Sequence, residues 1–193
     1  QYTRRDWRNR NKIKMNSGLK WLTIPVSADY HDNICEVVVA DSMWADKHWN
    51  KLHHTYKSAS HFNEFSDVIK QLYETVPSEK LSDINYHFLN AINKLLNIDT
   101  PLSWSMDYNK KGNKTERLVS ICKQAGADIY ITGPSARNYL DVDLFNRNGI
   151  EVKWMDYENY KPYPQINGEF AHNVTILDLL FHKGQKARSY MKY

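Results

Sequence analysis

Residues 118–154 constrain this chain most, because their hydrophobic period switches from helical to strand-like and back. Leu118, Ile121, Cys122 and Ala125 recur at helical spacing, and Gly126 stands where a helix stops. Ile129, Tyr130 and Ile131 then form a short β-rich run that breaks at Gly133 and Pro134. Ser135 follows as a helix N-cap ahead of Ala136, Tyr139, Leu140 and Phe145, and Gly149 and Ile150 lead into a second β-type run over residues 151–154. An αβαβ order predicts two parallel neighbouring strands joined by a right-handed crossover. In open parallel sheets, ligands gather at the carboxyl ends of strands, beside helix N-termini whose free amides attract anions. The turn over residues 132–136, with Gly133 and Ser135, is thus a candidate anion-binding loop. The same residues also suit a plain strand-to-helix turn, with glycine and proline for geometry and serine for capping.

The amino-terminal end carries a different signal. Residues 1–20 hold seven of the 26 basic residues and one of the 22 acidic ones, leaving 19 basic against 21 acidic elsewhere. Overall charge is therefore no argument for general nucleic-acid binding, and the basic segment needs its own explanation. Alternation in an extended chain sets Arg4, Asp6, Arg8 and Arg10 on one side, with Arg5, Trp7, Asn9 and Asn11 on the other. Guanidinium groups bind phosphate in forked fashion, so a row of them near Trp7 suits a nucleotide or diphosphate-linked ligand. A solvated basic edge strand, protected against aggregation, is the competing reading. Asn16, Ser17 and Gly18 are turn residues and residues 19–26 read as a strand, so residues 4–26 are expected to form a hairpin.

Further along, residues 34–40 read as a strand, and Asp41 or Ser42 caps a helix over residues 44–57. Trp44, His48, Leu52 and Thr55 or Tyr56 share one stripe of it, while Lys47, Lys51 and His54 lie on the adjoining side. His48 is a candidate general base or anion contact, against the alternative of a packed histidine. No HExxH or clustered carboxylate accompanies His53 and His54, so no metal site is expected. Helical periodicity returns over residues 65–74 and 84–96, and residues 98–106 read as a strand entered through Pro101. Gly112 to Thr115 lack the first glycine of a phosphate loop, which excludes an ATP-hydrolysing P-loop. The loop over residues 156–165 brings Tyr160, Tyr163 and Gln165, which suit stacking and hydrogen bonding to a sugar or, equally, covering the edge of the core. Asn173 or Thr175 caps a last helix over residues 174–182 that is apolar almost all round and so expected to be buried, with Gly184 ending it and a frayed basic tail over residues 186–193.

These elements predict a single α/β domain: a mostly parallel sheet flanked by helices, with an additional helical segment. The longest apolar run, residues 34–40, is far too short to span a membrane. Cys35 and Cys122 sit in apolar runs without a CxxC pattern, so neither a disulfide framework nor structural zinc is expected and a reducing cytoplasm is the default. Thirteen tyrosines and six tryptophans supply stacking surface suited to sugars or bases. No cofactor is expected.

Several stretches occur in a fixed order over nearly the whole chain: residues 2–11 (YTRRDWRNRN) and 18–26 (GLKWLTIPV), then Lys47, His48 and Trp49 with Tyr56 and Phe62, then residues 126–136 (GADIYITGPSA), 139–141 (YLD), 163–165 (YPQ) and 178–181 (DLLF). Together they resemble the WbqC-like family. The resemblance implies a place in bacterial surface-polysaccharide (O-antigen, lipopolysaccharide) precursor synthesis. It also implies a transferase that decorates a nucleotide-linked amino sugar with a glycyl or related group. That family opens with a further strand, helix and strand, faintly similar to nucleotidyl-transferring Rossmann-like folds. This chain is therefore expected to be a single WbqC-like domain over residues 1–193 with a Rossmann-like sheet, lacking that leading unit.

The expected activity is transfer of an acyl or aminoacyl group to the sugar's amine in the cytoplasm. Arg5, Arg8 and Arg10 would hold diphosphate, the turn from Gly133 to Ser135 would offer amides to an anion, and His48 would take the proton of the attacking amine. Lys47, Tyr163 and Gln165 complete the expected substrate-binding set. A charged tRNA is a possible aminoacyl donor. The alternative is a non-catalytic sugar-nucleotide-binding or scaffolding protein that needs no titrating group.

Overall fold

The computed structural model describes residues 2–3, 7–29 and 32–192. They group into two compact units, Gln1–Asp99 with Tyr160–Tyr193, and Thr100–Asn159.

The first unit begins with the expected hairpin, in shorter form. Strands β1 (Arg10–Met15) and β2 (Gly18–Thr23) pair antiparallel with Arg10 opposite Thr23 and Met15 opposite Gly18. The turn works because Gly18 takes a left-handed φ of 93°, which costs glycine nothing. Residues 7–9 form a turn instead of continuing the strand, so the alternation expected for the arginine row does not extend through Trp7 and Arg8. Arg4, Arg5 and Asp6 lie outside the described residues. Strands β3 (Val26–Ser27) and β4 (Val38–Val39) make a short antiparallel pair. The strand expected over residues 34–40 shrinks to β4 because Glu36 folds back locally, its carboxylate accepting both the backbone N–H and the side-chain amide of Asn33.

Helices α1 (Trp44–Tyr56), α2 (Phe62–Glu74), α3 (Leu81–Leu95) and α6 (Ile176–Lys183) enclose the core of this unit. The buried stripe of α1 is Trp44, His48, Leu52, Thr55 and Tyr56, as its spacing predicts. Met43 occupies the cap position, and Asp41 acts two residues earlier by accepting the Met43 N–H. Ile13 from β1, Leu52 and Tyr56 from α1, Ile69 from α2 and Leu180 and Phe181 from α6 are fully buried together. Helix α6 is capped by Thr175, whose hydroxyl accepts the Leu177 N–H, and it is buried from Leu177 to His182. The tail expected to fray instead continues as a 3-10 helix over Gly184–Tyr190, because Ala187 packs into the core.

The second unit contains the αβαβ order read from residues 118–154. Helix α4 (Lys114–Gln124) leads to strand β5 (Ile129–Thr132), and helix α5 (Val142–Arg147) leads to strand β6 (Glu151–Trp154). The two strands pair in parallel, Ile129 opposite Glu151 and Thr132 opposite Trp154. Val119, Cys122, Phe145 and Ile150 form their core. Ser135 does not cap α5: Pro134–Asn138 make a 3-10 turn, and Asp141 accepts the Leu144 N–H at 2.9 Å. Residues 98–106 form no strand; Asp107 accepts the Trp104 N–H and closes a 3-10 turn over Ser105–Asp107.

The class is mixed α/β. In place of one extended, mostly parallel Rossmann-like sheet, the described residues form three two-stranded sheets, of which one is parallel. Among the described residues no helix is long and apolar enough to cross a membrane.

Candidate functional site

The open end of the β1–β2 hairpin is pinned by one asparagine. Ile24 N–H donates to the Asn9 carbonyl at 2.8 Å, and the Asn9 side-chain nitrogen donates to the Ile24 carbonyl at 3.0 Å. Those two bonds orient a side chain that is only 6% exposed, and they commit its nitrogen, leaving Oδ1 as the acceptor. Oδ1 has no hydrogen-bond partner among the described residues. Among the described residues, the other buried side-chain polar atom in that condition is Nε of Arg10.

Asn9 and Arg10 line one pocket of about 440 Å³, together with Tyr2, Thr23, Pro25, Val26 and Ala28. The guanidinium of Arg10 is held over the Trp21 ring, its central carbon 4.0 Å from the ring centroid, and the Lys12 ammonium stands 5.0 Å from the same ring. A buried donor or acceptor left unmade costs about 1–3 kcal/mol, and both of these atoms are buried beneath the surface of the residues that line the concavity.

His48 lies one hydrogen bond behind the pocket wall. Its Nε2 is 2.8 Å from the carbonyl oxygen of Thr23, which makes Nε2 the protonated nitrogen and donor. The ring is buried edge-on against Trp44 and Tyr73. Burial lowers its pKa to about 4, against the opposing effect of the Thr23 bond. His48 is therefore neutral near pH 7.

A second polar cluster is buried elsewhere in the same unit and centres on Asp178. Tyr56 donates to Oδ2 at 2.9 Å, while Tyr163 and the Gln165 side-chain amide donate to Oδ1 at 2.8 and 2.9 Å. Ile166 N–H donates to His182 Nε2 at 2.9 Å, so the ring proton sits on Nδ1, 2.6 Å from the Asp178 carbonyl and 3.3 Å from Oδ1. Burial pushes the Asp178 carboxyl up, but donation from His182, Tyr163 and Tyr56 outweighs it and holds the group below its ordinary value. On the far side of Gln165, Oε1 accepts from the buried Lys14 ammonium at 3.0 Å and from Ala171 N–H at 2.8 Å. Lys14 also donates to the carbonyls of Gly168 and Glu169. This network locks the loop from Tyr163 to Ala171 onto β1 and α6.

The expected site residues thus fall into separate places. Arg10 lines the pocket, and His48 reaches it through Thr23. Tyr163 and Gln165 direct their polar atoms into the Asp178 network. The Arg8 guanidinium lies 5.1 Å from the Trp7 ring, and its carbonyl accepts from Asn85. Lys47 is exposed and paired with Asp41 at 2.6 Å. Arg5 falls outside the described residues. Gly133 and Ser135 belong to the second unit, where Ser135 is exposed and Gly133 leaves room for the Tyr157 hydroxyl. Among the described residues no three His, Cys, Asp or Glu side chains gather as a metal site would require.

The model of the WbqC-like protein family matches residues 1–190. The chain belongs to the WbqC-like family. An uncharacterized protein of Mycobacterium tuberculosis is 44% identical to this WbqC-like chain over 195 residues, covering 100% of this chain and 84% of that protein. No solved structure matches it.

Asn9, Lys14, Tyr56, Asp178 and His182 were not singled out by sequence reasoning. One signal was available: Asp178 and His182 stand four residues apart on a helix that is otherwise apolar, which marks a polar pair carried into the core. Asn9 gave none, because its role arises from Ile24, fifteen positions away.

Proposed function

We propose that this WbqC-like chain binds a nucleotide-linked amino sugar at the Asn9–Arg10 pocket and serves bacterial surface-polysaccharide precursor synthesis by transferring an acyl or aminoacyl group to the sugar's amine. The observation that carries this reading is a pocket of sugar size lined by Arg10, whose guanidinium is stacked on the half-exposed Trp21 ring. The Arg10 guanidinium is a phosphate ligand held ready by Trp21, and the exposed indole offers an aromatic face beside it. In this reading His48 is the base of the transfer, and the bond from its Nε2 to the Thr23 carbonyl connects it to the pocket. Family membership supports the polysaccharide context.

A second reading is favoured by the burial of His48 and its pKa of about 4, which suit a support for the pocket wall better than a base. In that reading the chain binds the sugar nucleotide and does no chemistry.

Thermal-shift and calorimetric titration with nucleotide-linked amino sugars tests the shared part: the ligand raises the melting temperature of the wild type and not of Arg10→Ala. Turnover assays with His48→Gln then separate the two readings: under the first the variant loses turnover and keeps affinity, whereas under the second the wild type itself shows no turnover. Absence of any shift across the amino-sugar nucleotides ends both.

A further inference from the structure

We infer that the ligand leaves the Asn9–Arg10 pocket along the outer face of the hairpin, with Lys12 as a second phosphate ligand beside Arg10 and the Trp21 indole under the base; this rests on the reading that the pocket takes a nucleotide-linked amino sugar. The register of the hairpin places these groups. Residues paired across an antiparallel ladder share a side of the sheet, and the sides alternate along each strand. Arg10 opposite Thr23, Lys12 opposite Trp21 and Lys14 opposite Leu19 therefore lie on one side. Ile13 and Leu22 lie on the other and enter the core. Since Arg10 and Thr23 line the pocket, Lys12 and Trp21 are the next pair out from it.

That step of the face is open and cationic. Trp21 stays 46% exposed with the Arg10 guanidinium carbon 4.0 Å and the Lys12 ammonium 5.0 Å from its ring centroid. The two charges thus stand no further apart than the sum of those distances, about 9 Å. Among the described residues neither is paired with a carboxylate. Two like charges gathered on one ring repel each other, and an anion set against them relieves that repulsion.

A guanidinium forks onto phosphate oxygens, while an ammonium serves them as a point charge. One pair further along, the cation is already taken: the buried Lys14 ammonium donates to Gln165 at 3.0 Å and to the carbonyls of Gly168 and Glu169. The stretch left to a ligand is therefore Arg10, Lys12 and Trp21. Two cations beside a flat aromatic surface suit phosphates joined to a base, and the pocket is left to the sugar.

The test is calorimetric titration of the wild type, Lys12→Gln, Trp21→Leu and Lys20→Gln with UDP-N-acetylglucosamine and with UDP, which lacks the sugar. Lys12→Gln is expected to weaken both ligands about tenfold, as one charge-assisted hydrogen bond gives. Trp21→Leu should weaken both by roughly as much, through the lost stack. Lys20 is exposed and stands opposite Ile13, on the other side of the ladder, so Lys20→Gln removes the same charge and should leave both affinities within about twofold of wild type. If Trp21→Leu does not fold, Lys12→Gln carries the decision. Three results overturn the placement along the hairpin and leave the sugar-nucleotide reading standing: wild-type affinity in Lys12→Gln, an equal loss in Lys20→Gln, or binding of the sugar nucleotide without binding of UDP. No binding of either ligand by the wild type overturns both.

Discussion

The hydroxyl of Tyr56 donates to Oδ2 of Asp178 at 2.9 Å, joining the end of α1 to the start of α6 through a carboxylate with no solvent exposure. Tyr56 and Asp178 are 122 positions apart, and both are fully buried. A buried carboxylate persists only when its oxygens are filled with donors, and this one has three side chains supplying them. Tyr56→Phe removes one donor and keeps the ring packing, so it is expected to lower stability by about 1.5–3 kcal/mol. Asp178→Ala strands all the donors and should cost more, roughly 3–5 kcal/mol. Urea unfolding of the two variants checks the order; a neutral Tyr56→Phe would contradict the account.

Acid should weaken the fold in two stages. The folded pKa of His48 is about 4, below its ordinary 6.5, so between those values the unfolded chain binds a proton that the folded chain refuses. Stability is then present above pH 6.5 and falls as the pH drops toward 4, by a total on the order of 3 kcal/mol. Asp178 has a depressed pKa, so its contribution is held above the ordinary 3.8 and lost below it, as pH falls through the folded value. Unfolding midpoints measured from pH 7.5 to 4 should slope downward in the wild type, and His48→Gln should flatten most of that slope.

Lys14 is expected to behave as a clamp on the loop after Tyr163. Its buried ammonium reaches Gln165, Gly168 and Glu169, and Gln165 in turn fixes Ala171. Lys14→Met leaves those oxygens without their donor and should cost roughly 2–4 kcal/mol. Hydrogen exchange at the Ala171 and Ile166 amides should accelerate selectively in this variant. Unchanged protection there would mean the loop is held by its aromatic packing instead.

Two glycines should respond to alanine to different degrees. Gly184 has a φ of 57°, and a Cβ on it would stand 2.5 Å from His61 Nδ1 and 2.9 Å from His61 Cγ, so Gly184→Ala should destabilise by about 2–4 kcal/mol. Gly133 has an ordinary φ of −72°, and its added Cβ would meet the Tyr157 hydroxyl at 3.2 Å on a side chain that is half exposed and free to yield. Gly133→Ala should stay within about 1 kcal/mol of wild type, since the lower entropy of the unfolded chain offsets the contact. Melting temperatures of the pair decide it.

Periodicity carries local structure well, so the sequence alone determined that helices stand near residues 44–57, 65–74 and 84–96, which the structure sets at Trp44–Tyr56, Phe62–Glu74 and Leu81–Leu95, and it determined the hairpin turn at Gly18, the buried last helix and the parallel pairing of the strands after α4 and α5. Each of those depends on neighbours within a few turns or on one short crossover. The strand expected over residues 98–106 and the cap at Ser135 were lost to side chains, Asp107 and Asp141, that offered the backbone nearer partners. Only the tertiary structure decided which polar residues came together. Arg10 was legible as an arginine, but the orientation of the buried Asn9 amide exists because Ile24 returns to the foot of the hairpin. Tyr163 and Gln165, which read as ligand groups, were claimed by Asp178 from a different helix. A hydrogen bond is satisfied by whichever partner the fold delivers, and a partner's distance in sequence bears no relation to its distance in space.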